Sequence, residues 1–189
     1  MAPPDPAAAP LGIDRAVVLV VDDAPDALRL MRATLEAAGA TVTLASIKRD
    51  PIQGMEQDIN KAEMATPDLT LAEVDTDDYD ALVIPGGTCN PDKLRLEERA
   101  VEIVAEFMED DKIVAAICHG PWLLAEADVI DGRRLTSYPS IRTDLENAGG
   151  EVVDEEVVID GNLITSRNPN DIPAFNQAIL SALEEEVSE

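Results

Sequence analysis

The sequence has few basic residues, few cysteines and no long apolar run. Lys and Arg number 14 among 189 residues against 39 Asp and Glu, so the formal net charge is −25 at pH 7. A field of this sign repels phosphate backbones and anionic lipids, which argues against nucleic-acid or membrane-surface binding. No apolar run approaches the roughly 18 residues that cross a bilayer. The first residues lack the basic and apolar segments of a secretory signal, so we expect none.

Cysteine and histidine are scarce enough to exclude two kinds of site. Two cysteines make no disulfide framework in a chain of this length, which favours a reducing cytoplasm. His119 is the single histidine, so multi-histidine metal sites are excluded, and we expect no metal and no cofactor.

The carboxylates are spread along the chain, with four Lys against ten Arg. This pattern suits a cytoplasm at molar salt, where ions screen the repulsion, and it predicts a salt-in halophile; an ordinary acidic protein is the alternative.

The order of apolar segments predicts an α/β fold. Residues 1–14 are rich in Pro and Ala and are expected to form a flexible tail, and 15–189 are expected to form a single domain. Strands alternating with amphipathic helices indicate a mostly parallel sheet with helices on both faces. Strands are predicted at 16–21, 41–47, 81–84, 113–117, 134–137, 152–153, 156–159 and 163–166, with a short strand pair within 48–78. Helices are predicted at 26–38, 97–108, 119–127, 140–148 and 172–183.

Cys118 follows one of these strands, at the edge where parallel sheets bind ligands. A strand, a nucleophile, a glycine and a helix in this order predict a nucleophile elbow. A helix beginning at His119 would direct its positive end at the sulfur and favour the thiolate, and His119 is the one imidazole base available. The amides of Gly87, after the preceding strand, and of His119 are candidates for an oxyanion hole. Cys89 has no such setting and is interpreted as a loop or packed thiol.

Four stretches resemble the ThiJ/PfpI superfamily, and most closely its PfpI-type intracellular cysteine peptidases and their deglycase and stress-protein relatives. The stretches are Ala116-Ile-Cys-His-Gly-Pro-Trp122, Gly132-Arg-Arg-Leu-Thr-Ser-Tyr-Pro-Ser-Ile-Arg142, Asp154-Glu-Glu156 with Val157-Val-Ile-Asp-Gly-Asn-Leu-Ile-Thr-Ser-Arg167, and Asp171-Ile-Pro-Ala-Phe175. The resemblance covers roughly residues 16 to 183. It implies a flavodoxin-like three-layer sandwich of the class I glutamine amidotransferase type, assembled as dimers or hexamers.

The resemblance also implies roles for individual residues. The family nucleophile matches Cys118, and the histidine beside it matches His119. An acidic residue from a neighbouring subunit orients that histidine in PfpI-type proteins, and the motif that carries it places Asp92 in this role. Tyr138 matches an aromatic position that lines the pocket.

The loop after the first strand departs from the family pattern. The family carries a glutamate there that touches the cysteine sulfur, whereas counting back from Gly39 places Ala24 at this position. Asp22, Asp23 or Asp26 could reach the sulfur from a shifted loop, or the function of the glutamate is lost. An ionised carboxylate there would oppose the thiolate, while a protonated carboxyl could donate to it.

The same acidic loop resembles the Mg²⁺ pocket of response-regulator receiver domains. A receiver domain needs a phosphoacceptor aspartate at the end of its third strand, where this chain has Ile84-Pro85-Gly86. It also needs a lysine after a later strand, whereas Lys112 precedes its strand. These two differences disfavour the receiver interpretation.

Two functions therefore follow from the sequence and the resemblance. The first is a cysteine enzyme that attacks a peptide or amide carbonyl, or the aldehyde of a 2-oxoaldehyde such as methylglyoxal, through Cys118. The second is a non-catalytic stress or redox-sensing protein whose Cys118 is oxidised to a sulfenic or sulfinic acid.

Overall fold

A computed structural model describes residues 16–21, 26–56 and 60–187. The tail predicted at 1–14 and the loop residues Asp22, Asp23 and Ala24 lie outside these ranges, as does the side chain of Asp26. The interpretations of those residues stay predictions, as do the proposed domain boundaries.

Strands and helices alternate along the part of the chain that the structure describes. Its strands, β1–β11 in chain order, are Val17–Val21, Thr41–Ser46, Ile52–Glu56, Asn60–Ala65, Leu69–Thr70, Ala81–Ile84, Ile113–Ile117, Arg134–Leu135, Glu151–Val152, Val157–Asp160 and Leu163–Ser166. Its α-helices, α1–α6, are Asp26–Ala38, Cys89–Leu94, Glu98–Glu109, Pro121–Glu126, Arg142–Asn147 and Ile172–Val187. None of these helices is long and apolar enough to cross a membrane.

Seven of the strands form one twisted sheet in the order β10-β11-β7-β6-β1-β2-β5. All neighbours pair in parallel except β10, which is antiparallel to β11. The chain runs outward from β1 through β2 to β5 and then returns to β6 on the other side of β1. This reversal is a topological switch point, beside which open α/β sheets bind ligands. The carboxyl ends of β6 and β7 lie next to each other there.

The sheet separates two hydrophobic cores, because alternate side chains of a strand point to opposite faces. Leu82 and Ile84 of β6 belong to the core that α3, α4 and α5 cover. Val83 of the same strand belongs to the core that α1 and α6 cover. The fold is therefore a three-layer α/β sandwich with helices on both faces, which confirms the predicted class.

Two predicted elements need correction, and one helix was not predicted. The helix predicted from His119 begins two residues later, at Pro121, because Cys118 to Gly120 form a turn in which the Gly120 amide donates to the carbonyl of Ile117 at 2.9 Å. The helix predicted at 140–148 starts at Arg142, after a single 3₁₀ turn, Pro139–Ile141. The short α2 was not predicted, since its six residues are too few to show an apolar period.

Candidate active site

Cys118 lies in the sharp turn between β7 and α4. Its φ is 64°, in the left-handed region that a non-glycine residue seldom adopts. The turn is held to the neighbouring strand because the Cys118 amide donates to the carbonyl of Ser166, the last residue of β11, at 3.0 Å. A strained backbone at a strand end is the geometry of a nucleophile elbow, and it leaves the Cys118 side chain half-buried rather than enclosed.

Two glycines let the neighbouring segments approach this turn. A Cβ on Gly86 would lie 2.5 Å from the Cβ of Cys118 and 3.2 Å from its Sγ. A Cβ on Gly120 would lie 2.6 Å from the carbonyl oxygen of Ile84. The distances of 2.5 and 2.6 Å are shorter than a carbon atom tolerates. Glycine at 86 therefore lets the end of β6 approach Cys118, and glycine at 120 lets the turn approach the end of β6.

His119 links the sulfur to a serine from another part of the chain. Its Nδ1 lies 3.3 Å from Cys118 Sγ, and its Nε2 lies 3.1 Å from the Oγ of Ser140. The His119 side chain is buried, with 7% of the residue exposed. The structure therefore brings together Cys118 and His119, the pair that the sequence predicted, and adds Ser140.

Two aromatic rings enclose the imidazole. Tyr138 stacks on His119 with the ring centroids 4.7 Å apart and an angle of 26° between the planes. Trp122 presents its edge at 5.5 Å. The Tyr138 amide also donates to the carbonyl of Cys118 at 2.9 Å, which joins the segment after β8 to the elbow. Tyr138 thus lies beside the predicted pair, and its ring is partly exposed.

Apart from the loop residues outside the described ranges, the other predicted residues lie on the segment that follows β6. Gly87 is half-buried with a φ of 87°, directly after the glycine that contacts Cys118. Asp92 is exposed on α2, and its predicted role involves a second copy of the chain. Cys89, interpreted as a loop or packed thiol, is instead exposed as the first residue of α2.

The correction to α4 changes the electrostatic argument for the thiolate. α4 has only six residues and begins at Pro121, so its dipole is shorter and starts farther from the sulfur than predicted. The nearby imidazole can stabilise a negative Sγ, because a protonated His119 would donate Nδ1–H to it.

An ion-pair chain ties down the segments that follow the site. The Nη2 of Arg142 and the Nη1 of Arg167 donate to one oxygen of Asp154 at 2.8 and 3.0 Å. These two guanidinium groups, Arg142 first, lower the pKa of Asp154. Arg167 also pairs with the buried Asp171 at 2.9 Å, and this contact raises the pKa of the guanidinium. The arginines are therefore neutralised within the chain.

A metal has no evident place among the described residues. Within 16–21, 26–56 and 60–187, no group of three or more His, Cys, Asp and Glu side chains is arranged to hold an ion.

Sequence reasoning missed the contact between Ser140 and His119 and the close approach of Gly86. Ser140 stands 21 positions after His119 and lies within one of the stretches that carry the resemblance, but its residue type alone gave no reason to place it at the site. The signal available for the close approach of Gly86 was the pair of consecutive glycines at 86 and 87, of which only Gly87 was predicted to lie at the site.

Comparisons with known proteins identify the family of the chain. The model of the DJ-1/PfpI family matches residues 14–182. General stress protein 18 of Bacillus subtilis is 53% identical over 120 residues, which are 63% of this chain and 69% of that protein. Deglycase PfpI of Pyrococcus furiosus is 44% identical over 149 residues, which are 79% of this chain and 86% of that protein.

A solved structure shows the same fold. It is a two-domain protein from Anabaena variabilis with DJ-1/ThiJ/PfpI-like and ferritin-like domains, and it matches with a TM-score of 0.81 and 37% identity. The match covers 89% of this chain and 49% of that one, so this chain spans about half the length of the two-domain protein. On the matched family model and these relatives, the chain belongs to the DJ-1/PfpI family.

Proposed function

We propose that this protein is a cysteine-dependent hydrolase that acts on the carbonyl carbon of a peptide or amide, or of a 2-oxoaldehyde, with Cys118 as the nucleophile. The observation that carries the proposal is the contact of 3.3 Å between Cys118 Sγ and His119 Nδ1 on a backbone with positive φ. A thiol, an adjacent base and a strained turn at a strand end are what nucleophilic catalysis by cysteine requires. The family relative named a deglycase supports the choice of a carbonyl substrate.

Hydrolysis of an amide uses the pair in two steps. His119 takes the thiol proton at Nδ1, the thiolate forms a bond to the carbonyl carbon, and the C=O electron pair moves to oxygen. When the tetrahedral adduct collapses, the C–N bond breaks and the amine leaves with the proton from His119. Water then attacks the thioester, with His119 as its base, and releases the acid and Cys118.

Conversion of a 2-oxoaldehyde to a 2-hydroxy acid in the same site needs no external oxidant. The thiolate adds to the aldehyde carbon, and a proton then moves from that carbon to the neighbouring ketone carbon. The first carbon is oxidised to a thioester while the second is reduced to an alcohol, so the electrons balance within the substrate. Hydrolysis of the thioester by water gives a 2-hydroxy acid, and His119 is the group available to move the protons.

The proposal also includes an oxyanion hole and an acidic residue from a second copy of the chain. The amides of Gly87 and His119 would stabilise the charge on the substrate oxygen. Asp92 of a neighbouring copy would face His119 in a dimer or hexamer.

A redox role is the second candidate. The relative named general stress protein 18, at 53% identity, supports it, and the Cys118 side chain is half-buried rather than sealed from solvent. Ala24 at the family's glutamate position favours this role over catalysis. Hydrogen peroxide would then convert the Cys118 thiolate to a sulfenic acid and be reduced to water.

We further propose that the protein works in the cytoplasm of a salt-in halophile. The charge of −25 and the low lysine count support it, because molar salt screens the repulsion among carboxylates. Arginine forms surface ion pairs within the described residues, as in the pair of Arg49 and Glu73, which holds the pKa of Glu73 at about 2.

The test is the pH dependence of Cys118 alkylation by iodoacetamide in high KCl, with Cys89→Ser present so that one thiol reacts. We expect an apparent pKa well below the roughly 8.5 of a free thiol, because His119 stabilises the thiolate. Cys118→Ala in the same background is the control and should show no alkylation. An apparent pKa at or above the free value would contradict an activated nucleophile.

A further inference from the structure

We infer that Ser140 is the residue that positions His119 within a single chain. The inference rests on the proposed function, because the reaction it serves is the one assigned to Cys118. The imidazole has two nitrogens, and its Nδ1 is directed to the sulfur, so whatever group faces Nε2 determines the ring's orientation and tautomer. In this structure the hydroxyl of Ser140 faces Nε2 at 3.1 Å.

The backbone around Ser140 is built to hold that hydroxyl in place. Ser140 is the middle residue of the 3₁₀ turn Pro139–Ile141, which closes through a hydrogen bond of 3.2 Å from the Ile141 amide to the Tyr138 carbonyl. One residue before the turn, the Tyr138 amide binds the Cys118 carbonyl and the Tyr138 ring stacks on His119. The segment 138–140 therefore contacts the catalytic pair at three points, and the hydroxyl makes the one of these contacts that is a hydrogen bond to the imidazole.

A hydroxyl suits both protonation states of the imidazole. It accepts from Nε2–H in the neutral tautomer that leaves Nδ1 free to take the thiol proton, and it still accepts when both nitrogens carry protons. A carboxylate would favour the imidazolium strongly, whereas a neutral hydroxyl favours it weakly. Ser140 thus lets His119 act as base and then as acid without holding it in one state.

Other groups around the imidazole bear on its titration. Tyr138 and Trp122 enclose it, and behind Trp122 lie Asp144, which accepts from the indole Nε1 at 2.9 Å, and Arg95, whose guanidinium is 5.7 Å from the indole ring. Arg95 is itself paired with Glu126 at 2.7 Å, so Glu126 offsets its charge. Asp92 of a second copy would act only where copies associate, so dilution separates its effect from that of Ser140.

The test uses the fact that His119 is the single histidine of the chain, so an untagged, ¹⁵N-histidine-labelled protein reports one imidazole. In a Cys118→Ala background, at a concentration where light scattering gives a monomer, we expect the Nε2–H tautomer at high pH. Ser140→Ala should lower the His119 pKa by roughly 0.5 to 1 unit, because the ring loses an acceptor for Nε2–H. Ser140→Thr, which keeps a hydroxyl, should restore the pKa.

A second readout measures the consequence for the sulfur. In the Cys89→Ser background, Ser140→Ala should slow alkylation of Cys118 at pH 7 by roughly three- to tenfold, because a less basic imidazole stabilises the thiolate less. Ser181→Ala, whose hydroxyl on α6 accepts from Gln177 at 3.4 Å, is the matched serine control and should change neither readout.

The two proposals fail in different ways. A His119 pKa and tautomer that stay the same in Ser140→Ala would overturn the role of Ser140, even if alkylation slowed through a change of fold. A Cys118 that alkylates like a free thiol in the parent would overturn the proposed function, while the imidazole titration would still decide whether Ser140 positions the ring.

Discussion

Replacing Cys118 by serine is expected to reduce kcat/KM for the carbonyl substrate by at least roughly 10³-fold, the scale on which loss of a nucleophile acts. Serine nearly matches the size of cysteine, so the elbow and the contact with His119 are kept. The hydroxyl, however, is far less acidic than the thiol, so almost none of it is present as the nucleophilic anion at neutral pH. The assays are conversion of methylglyoxal to its 2-hydroxy acid and hydrolysis of a peptide amide, both in high KCl.

The control for this variant is Cys89→Ser, which removes the other thiol of the chain. Cys89 is exposed on α2, so its loss should leave turnover within about twofold of the parent. Equal thermal midpoints for parent and Cys118→Ser would show that the loss is chemical. If Cys118→Ser turned over either substrate as fast as the parent, Cys118 would not be the nucleophile.

The same variant separates the two candidate functions. An enzyme loses turnover with Cys118→Ser, whereas a redox sensor has no turnover to lose and instead loses its mass gain of one oxygen after peroxide. Turnover and the mass gain can both be measured on one preparation, by the activity assay and by mass spectrometry of the intact protein.

The fold was largely predictable because its central strands are buried on both faces. β1, β6 and β7 read as continuous apolar runs, as expected of parallel strands between two helical layers. The elbow was predictable for the same reason, since a cysteine and a glycine directly after such a run leave few alternatives. Short elements such as α2 carry too few residues for a period to appear.

The surroundings of the elbow were not predictable, because they depend on how distant segments meet. Ser140 reaches His119 only because the Tyr138 amide binds the carbonyl of Cys118, a tertiary contact between an irregular segment and a turn. α4 starts at Pro121 because Cys118 has a positive φ, and no local sequence pattern predicts that φ. Strain of this kind concentrates at functional sites, where local propensity is overruled.

Replacing Gly86 by alanine is expected to damage both the stability and the reactivity of the elbow. The new Cβ would lie 2.5 Å from the Cβ of Cys118 and 3.1 Å from the carbonyl oxygen of Ile117, atoms that the backbone holds in place. Gly86 is not among the glycines with positive φ, so its backbone suits alanine and the cost is one of contact alone. Overpacking of this kind costs about 1–3 kcal/mol, which lowers Tm by roughly 2–10 °C in a chain of this size.

In Gly86→Ala we expect a larger effect on the alkylation rate of Cys118 than on the free energy of unfolding, because the displaced Cβ of Cys118 carries the nucleophilic sulfur. We expect alkylation of Cys118 at pH 7 to slow by about tenfold or more, since moving Sγ away from His119 weakens the contact that stabilises the thiolate. Gly150→Ala is the matched control, because its Cβ would meet the movable end of Leu135 at 2.6 Å, away from the elbow. It should cost some stability and leave alkylation unchanged. Normal alkylation in a folded Gly86→Ala would mean that the end of β6 does not hold the sulfur against its base.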